Sequence, residues 1–359
     1  MANSSQLNIR TVRSNSDAED MANTIFDDAI QILGASFSGD RNSGGIYTGA
    51  DGSSPNVAPS DSGVILSTGN ARDITNTRGV ANNRPGTSSD MRDGMDNQAG
   101  FNAASGGNTY DAAYLDVDFI PDASVMTMQF TLLSENYPEV SDAAFQDVVG
   151  IWVNGTQISL AAGDGSITPE NLDEDSNPNL YVDNNGGAFN TEMDGFTITL
   201  TVTMNVNPGE VNSLRIGIAD VGDANYDSNL LIAAESVQTQ IVAIEDQFNL
   251  SANGSKAVDV LANDLNNGPG AMAITHINGQ AVAPGDSVTL PTGQAIKLNA
   301  DGTLQVTGDG DAEDFTFTYG ISNGEKTDVG IVNATSIPCF VVGTLIDTPR
   351  GSVAVETLR

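Results

Sequence analysis

Cys339 is the only cysteine in a chain of 359 residues. A lone thiol is either small apolar packing or a nucleophile, and a base or cation beside it decides which. The one histidine, His276, lies upstream in a strand-like run, so the chain carries no Ser-His-Asp set and no Cys/His metal pair. Acidic residues are the second source of chemistry. Asp220, Asp223 and Asp227 directly follow an apolar run, while Glu135, Glu139 and Asp147 flank another. Calcium takes about six to eight oxygens, more than one short loop supplies, so a site here requires two loops to meet. The competing expectation is that these Asp side chains cap turns by bonding their own backbone. Glu245, Asp246, Asn263 and Asp264 form a third acidic group, at a change in composition. The run Asp173 to Asn177 imitates the start of an EF-hand loop, but Pro178 and Asn184 occupy positions that need Gly and Glu. Trp152 either fills the core or offers a platform for a sugar ring.

The elements that must position these residues are mostly strands. Aromatics are only 6% and glycines number 38, a mix that favours strands and turns over long packed helices. Ser16 and Glu19 predict a capped helix, with Ala18, Met21, Ala22, Ile25, Ala29 and Leu33 on one face and Gly34 closing it. Beyond it the period becomes two. Phe196 to Val206 reads as one strand, apolar on one face and mostly Thr on the other. Met126, Met128, Phe130 and Leu132 alternate with polar residues, as do Leu214, Ile216 and Ile218 with Arg215, Gly217 and Ala219. Strands with one wet face predict antiparallel sheets. Residues 75–107 and 164–190 read as long loops, which are functional or ion-ordered when they persist in a compact domain.

Acidic residues total 47 against 13 basic, for a net charge of −34. Such a field repels nucleic acid and anionic membranes and attracts cations. There is no apolar leader at the amino terminus and no apolar run long enough to span a membrane. A single cysteine excludes an intramolecular disulfide. Together these features predict export without a signal peptide.

Three resemblances refine this reading. Asp61 to Gly69, Asp111 to Phe119, Leu133 to Glu139 with Asp147 to Gly155, Asp194 to Phe196, and Ile218 to Ser228 resemble, in order, the choice-of-anchor L domain of bacterial surface proteins. That resemblance implies a surface-displayed β-rich module and no conventional enzyme. Glu245-Asp246, Asp259 to Asp264, Asn299 to Leu304 and Phe315 to Tyr319 resemble one Ig-like, cadherin-like repeat of bacterial adhesins, whose implied role is a spacer. The run Ile337 to Ile346, followed by Val353 to Leu358, resembles the first strands of a Hint (hedgehog/intein) domain. This implies that Cys339 attacks the carbonyl of Pro338 to form a thioester. It also requires a Thr-x-x-His further on, which is not in this sequence, so the chain as written is not expected to cleave itself.

The expected architecture is mostly β: a lead segment over 1–15, an antiparallel sandwich with one N-terminal helix over 16–240, a smaller Ig-like sandwich over 241–335, and a Hint-start hairpin over 336–359. The expected function is a secreted or cell-surface adhesion or display protein, stabilised by calcium at Asp220, Asp223, Asp227, Glu135, Asp147, Glu245 and Asp264. Cys339 would be the nucleophile of a complete Hint domain. A glycan or matrix component is the expected partner, and a calcium-dependent lectin-like module is the alternative.

Overall fold

The computed structural model describes residues 6–76, 82, 84, 86–89, 91, 93–138, 145–338, 345–348 and 351–354. Cys339 and Glu139 therefore lie outside the described residues, as does part of the loop over 75–107.

In chain order the first unit opens with β1 (Asn8–Thr11), α1 (Asn15–Ile25), β2 (Gln31–Ser38), β3 (Gly44–Thr48), α2 (Ala50–Ser53) and β4 (Ser62–Ser67). After α3 (Ala99–Ser105) come the long strands β5 (Thr109–Ile120) and β6 (Val125–Ser134), then β7 (Val148–Val153) and β8 (Thr156–Gln157). It closes with β9 (Tyr181–Asp183), β10 (Gly195–Thr197), β11 (Leu200–Asn205), β12 (Asn212–Val221) and β13 (Ser228–Ala233). One sheet runs β1-β3-β4-β13-β6-β10-β9, with β11 also on β6, and the other runs β2-β5-β12-β7-β8. Every pairing in both sheets is antiparallel.

Alternation explains the sandwich. Leu115, Val117, Phe119, Leu214, Ile216 and Ile218 of one sheet meet Met126, Met128, Phe130 and Leu132 of the other in one buried core. The helix closes that core with Ala18, Met21, Ala22 and Ile25, spaced i, i+3, i+4 and i+7. Burying Met21 and Ile25 contributes roughly 1.5–3 kcal/mol each. The helix is shorter than its apolar spacing predicts. It stops at Ile25, and Gln31–Ser38 instead pairs with β5. Leu33 falls at a register shift in that pairing and is 47% exposed, so ladder formation overrides the helical period there.

Two expected strands also differ. Phe196 to Val206 breaks into β10 and β11, both on β6. The polar face of β6 is not wet: Thr127, Gln129 and Thr131 are buried.

The second unit accounts for Thr127 and Gln129. It contains β14 (Ile241–Val242), β15 (Asp246–Ser251), β16 (Ser255–Val258), β17 (Leu265–Asn266), β18 (Ala273–Ile277), β19 (Gln280–Ala281) and β20 (Ser287–Thr289). β21 (Ala295–Leu298), β22 (Leu304–Thr307), β23 (Asp314–Ser322) and β24 (Thr327–Ile337) complete it. Its sheets run β15-β24-β23-β18-β19 and β16-β22-β21-β20 over a separate core that includes Phe317, Tyr319 and Val332. The start of β24 is docked on the first unit. Gln129 and Gln238 donate to the Thr327 carbonyl, and Lys326 bridges Asp27 and Glu235 at 2.5 and 2.7 Å. Asn179 joins the same boundary through Thr292 and the Thr316 carbonyl. A short hairpin follows, β25 (Leu345–Thr348) with β26 (Gly351–Ala354).

Candidate functional site

Five carboxylates gather at one end of the first sandwich. Glu135 directly follows β6, Asp147 directly precedes β7, and Asp227 directly precedes β13. Asp220 lies near the end of β12 and Asp111 near the start of β5. Register brings them together: Ala219 is opposite Val148, Ser228 opposite Ser134, and Asp220 opposite Tyr110. The β5–β12 ladder slips between Ile218 and Asp220, leaving Asp111 at φ +46°. Asp is one of the few residues that tolerates that left-handed conformation, and such bulges re-aim a side chain.

All five are at most 3% exposed. Three are tied down. Asp227 accepts from the Ser89 amide at 2.9 Å and the Ser89 hydroxyl at 2.5 Å. Asp147 accepts a 2.5 Å bond from the Ser228 hydroxyl, and Asp111 a 2.9 Å bond from the Met91 amide. Glycines make room for two of them: a Cβ on Gly69 would lie 1.9 Å from Asp227 Oδ2, and one on Gly94 2.0 Å from Asp111 Oδ1.

Asp220 is different. Both of its carboxylate oxygens are buried without a hydrogen-bond partner, and so is Oε1 of Glu135, whose other oxygen takes the Gly86 amide at 3.0 Å. The Thr68 hydroxyl lies close enough to Asp220 to favour its charge but outside hydrogen-bond geometry. Removing an ionised carboxylate from water without a partner costs several kcal/mol, so such a group must take up a proton or a cation.

The electrostatics agree. Burial, and then the Asp147 charge, pushes Asp220 well above the usual carboxylate range. Burial raises Asp147 to about 8 against the pull of Ser228 and Asn136. Burial and the nearby Asp194 raise Glu135 to about 8. Burial raises Asp227 to about 6 despite its bonds from Ser89. Oxygen-only ligands of this kind suit a hard cation such as calcium. The cluster is not a closed cage, since among the described residues no three His, Cys, Asp or Glu side chains converge as a ready metal site.

The other expected ligands sit elsewhere or are already engaged. Asp223 caps a turn by accepting from the Asn225 amide at 3.0 Å. Glu245 is exposed and accepts from Asn333 at 3.0 Å. Asp264 accepts from the Ile244 amide at 2.7 Å and the Tyr319 hydroxyl at 2.9 Å. Burial lifts Asp264 to about 6 and Asp246 to about 7. Asp220 thus lies near Asp147 and Asp227, Glu135 lies near Asp194, and Asp223, Glu245 and Asp264 are bonded elsewhere. Asp111 also lies near Asp220, from within a strand-like run of the sequence. The run Asp173 to Asn177 is a turn in which Asp173 accepts from the Asp175 and Ser176 amides.

A two-sheet sandwich with one capping helix and a buried acidic loop end is a β-rich module. The chain belongs to the choice-of-anchor L domain family, whose model matches residues 8–238. This is a family of bacterial cell-surface proteins, and no helix among the described residues is long and apolar enough to cross a membrane. No curated protein matches the chain. Among solved structures, the catalytic domain of Agl-KA is similar at 15% identity and a TM-score of 0.19, covering 51% of this chain. The chain spans 34% of that one.

Proposed function

We propose that this chain is a calcium-stabilised adhesion or display module of the bacterial surface. The observation that carries the calcium reading is Asp220, buried with both oxygens unpartnered beside Asp147, Asp227 and Asp111. A divalent cation would satisfy those oxygens and neutralise charges that otherwise oppose folding at neutral pH. No three of these side chains converge as they stand, so Asp111, Asp147, Asp220 and Asp227 would have to draw together around the ion, with water completing the shell. Melting the protein with calcium and with EDTA tests this: a higher Tm in calcium is expected, and no shift at millimolar calcium rejects it.

A calcium-dependent lectin is the second reading. Its support is an open cleft of about 570 Å³ lined by Asp96, Tyr110, Asp111 and Asp223. EDTA-sensitive hits on a glycan array would favour it over the scaffold reading.

The C-terminal part of the proposal concerns Cys339. In a longer protein carrying the rest of a Hint domain, its thiol would attack the Pro338 carbonyl and break the Pro338–Cys339 amide, giving a thioester and a free Cys339 amine; water or a second nucleophile would then release or ligate everything upstream. Expressing an extended chain beside its Cys339→Ala variant tests the cleavage, which the variant must lack.

A further inference from the structure

The outer face of the five-stranded sheet carries a second feature, separate from the carboxylate cluster. Gln157, Trp152, Arg215, Asp116 and Ser36 lie directly opposite one another on successive strands, forming one row across β8, β7, β12, β5 and β2. Four inter-strand steps make the row about 19 Å long. The helix α3 covers one side of this face, where Phe101 packs on Tyr114 and meets Trp152 edge-on at 5.0 Å. The other side, toward Asp118 and Ser213, is open.

Trp152 sits at the boundary, half-buried. Its ring lies over Gly150, where a Cβ would come within 2.1 Å of the indole, so the absence of a side chain there lets the ring lie against the sheet. The indole lines a cleft of about 450 Å³ together with Asp116, Asp118, Ser213 and Arg215. Arg215 is held on two sides. Its Nε and Nη2 donate to Asp116 at 2.7 and 2.8 Å, and its guanidinium stacks over Tyr114 at 4.4 Å. Among the described residues its Nη1 has no partner, and neither does the exposed carboxylate of Asp118.

A fixed aromatic surface, a fixed donor and a free acceptor are the elements that hold a polyhydroxylated ring: its C–H face stacks on the indole while adjacent hydroxyls give to a carboxylate and take from a guanidinium. Two carboxylates in a chain of net charge −34 repel an acidic polymer, and Arg215, the one cation in the cleft, is already paired with Asp116. An apolar ligand would strand the polar groups. We infer that this cleft binds a segment of a neutral oligosaccharide, with Trp152 as the stacking platform and Asp118 and Arg215 reading hydroxyls. The inference does not rest on the calcium reading.

Trp152 is the only tryptophan in the chain, so its emission reports on this cleft alone. The full chain is titrated in EDTA with neutral gluco-, manno-, galacto- and chito-oligosaccharides, following that emission. A saturable shift with one of them is expected, and Asp118→Asn should weaken it about tenfold, equivalent to about 1.4 kcal/mol. Isothermal calorimetry on Trp152→Phe, whose fold is checked by circular dichroism, should show the same loss. The inference is overturned if none of the sugars shifts the emission, if Asp118→Asn binds unchanged, or if binding appears only with calcium. That last outcome would place the sugar at the carboxylate cluster and leave the calcium reading standing.

Discussion

Thr127 on β6 donates a 3.0 Å hydrogen bond to Asp328 on β24, joining the first unit's sheet to a fully buried carboxylate of the second. Gln129 and Thr201 reach the same oxygen more loosely at 3.4 Å, and the Ala243 amide bonds the other at 2.8 Å. The second unit is therefore anchored by a polar contact set inside an apolar boundary that also buries Ile331. Asp328→Ala leaves several buried donors unsatisfied, each costing roughly 1–3 kcal/mol. Urea unfolding should show a large loss of stability, and limited proteolysis should show earlier separation of the two units. Unchanged unfolding would mean that the units are held together by other contacts.

Without calcium, stability should fall as pH rises. Asp147 and Glu135 are raised to about 8 and Asp227 to about 6, all above the values they have when unfolded. A carboxylate raised in the folded state holds its proton more tightly there, so its contribution is complete at low pH and lost as pH climbs through the folded value. Melting in EDTA should therefore give a Tm that declines between about pH 4 and pH 8. Calcium should flatten that decline, because it binds the ionised form. A flat profile in EDTA would contradict the placement of these groups.

Asp220→Asn removes the charge while keeping the shape. In EDTA at pH 8 the variant should melt higher than the parent, by several degrees for a gain of about 1–2 kcal/mol. With calcium the order should reverse, because a cation ligand has been lost. Differential scanning calorimetry in both buffers checks the crossover, and a variant less stable in both would remove Asp220 from the site.

Gly150→Ala forces a Cβ to within 2.1 Å of the Trp152 ring. Overpacking of this kind costs about 1–3 kcal/mol, and the ring must tilt away from the sheet. A red-shifted tryptophan emission together with a lower Tm is expected. An unshifted spectrum would mean that the ring is accommodated without leaving the sheet.

The carboxylate cluster shows what kind of residue is legible in a linear sequence. Asp220, Asp227, Glu135 and Asp147 stand at the ends of apolar alternating runs, which marks them as loop-end groups. Asp223 has the same signature, yet its side chain bonds the amide two residues on, a local choice open to any Asp in a turn. Asp111 was invisible because it stands in a run that alternates like a strand, and only the slipped register against β12 turns it inward. Trp152 read most simply as core. It instead sits on the outer face, because α3 and Gly150 supply a partial cover there.

By itself, the sequence determined the β-rich class, the alternation that builds the two sheets, and the acidic character of the loop ends. These follow from side-chain period and composition, which are local properties. Tertiary structure alone decided where α1 stops, which acids lie near one another, and that Thr127 and Gln129 of β6 are met by the second unit. Those outcomes depend on register and docking between segments as far apart as Thr127 and Asp328, whose pairing no local pattern encodes.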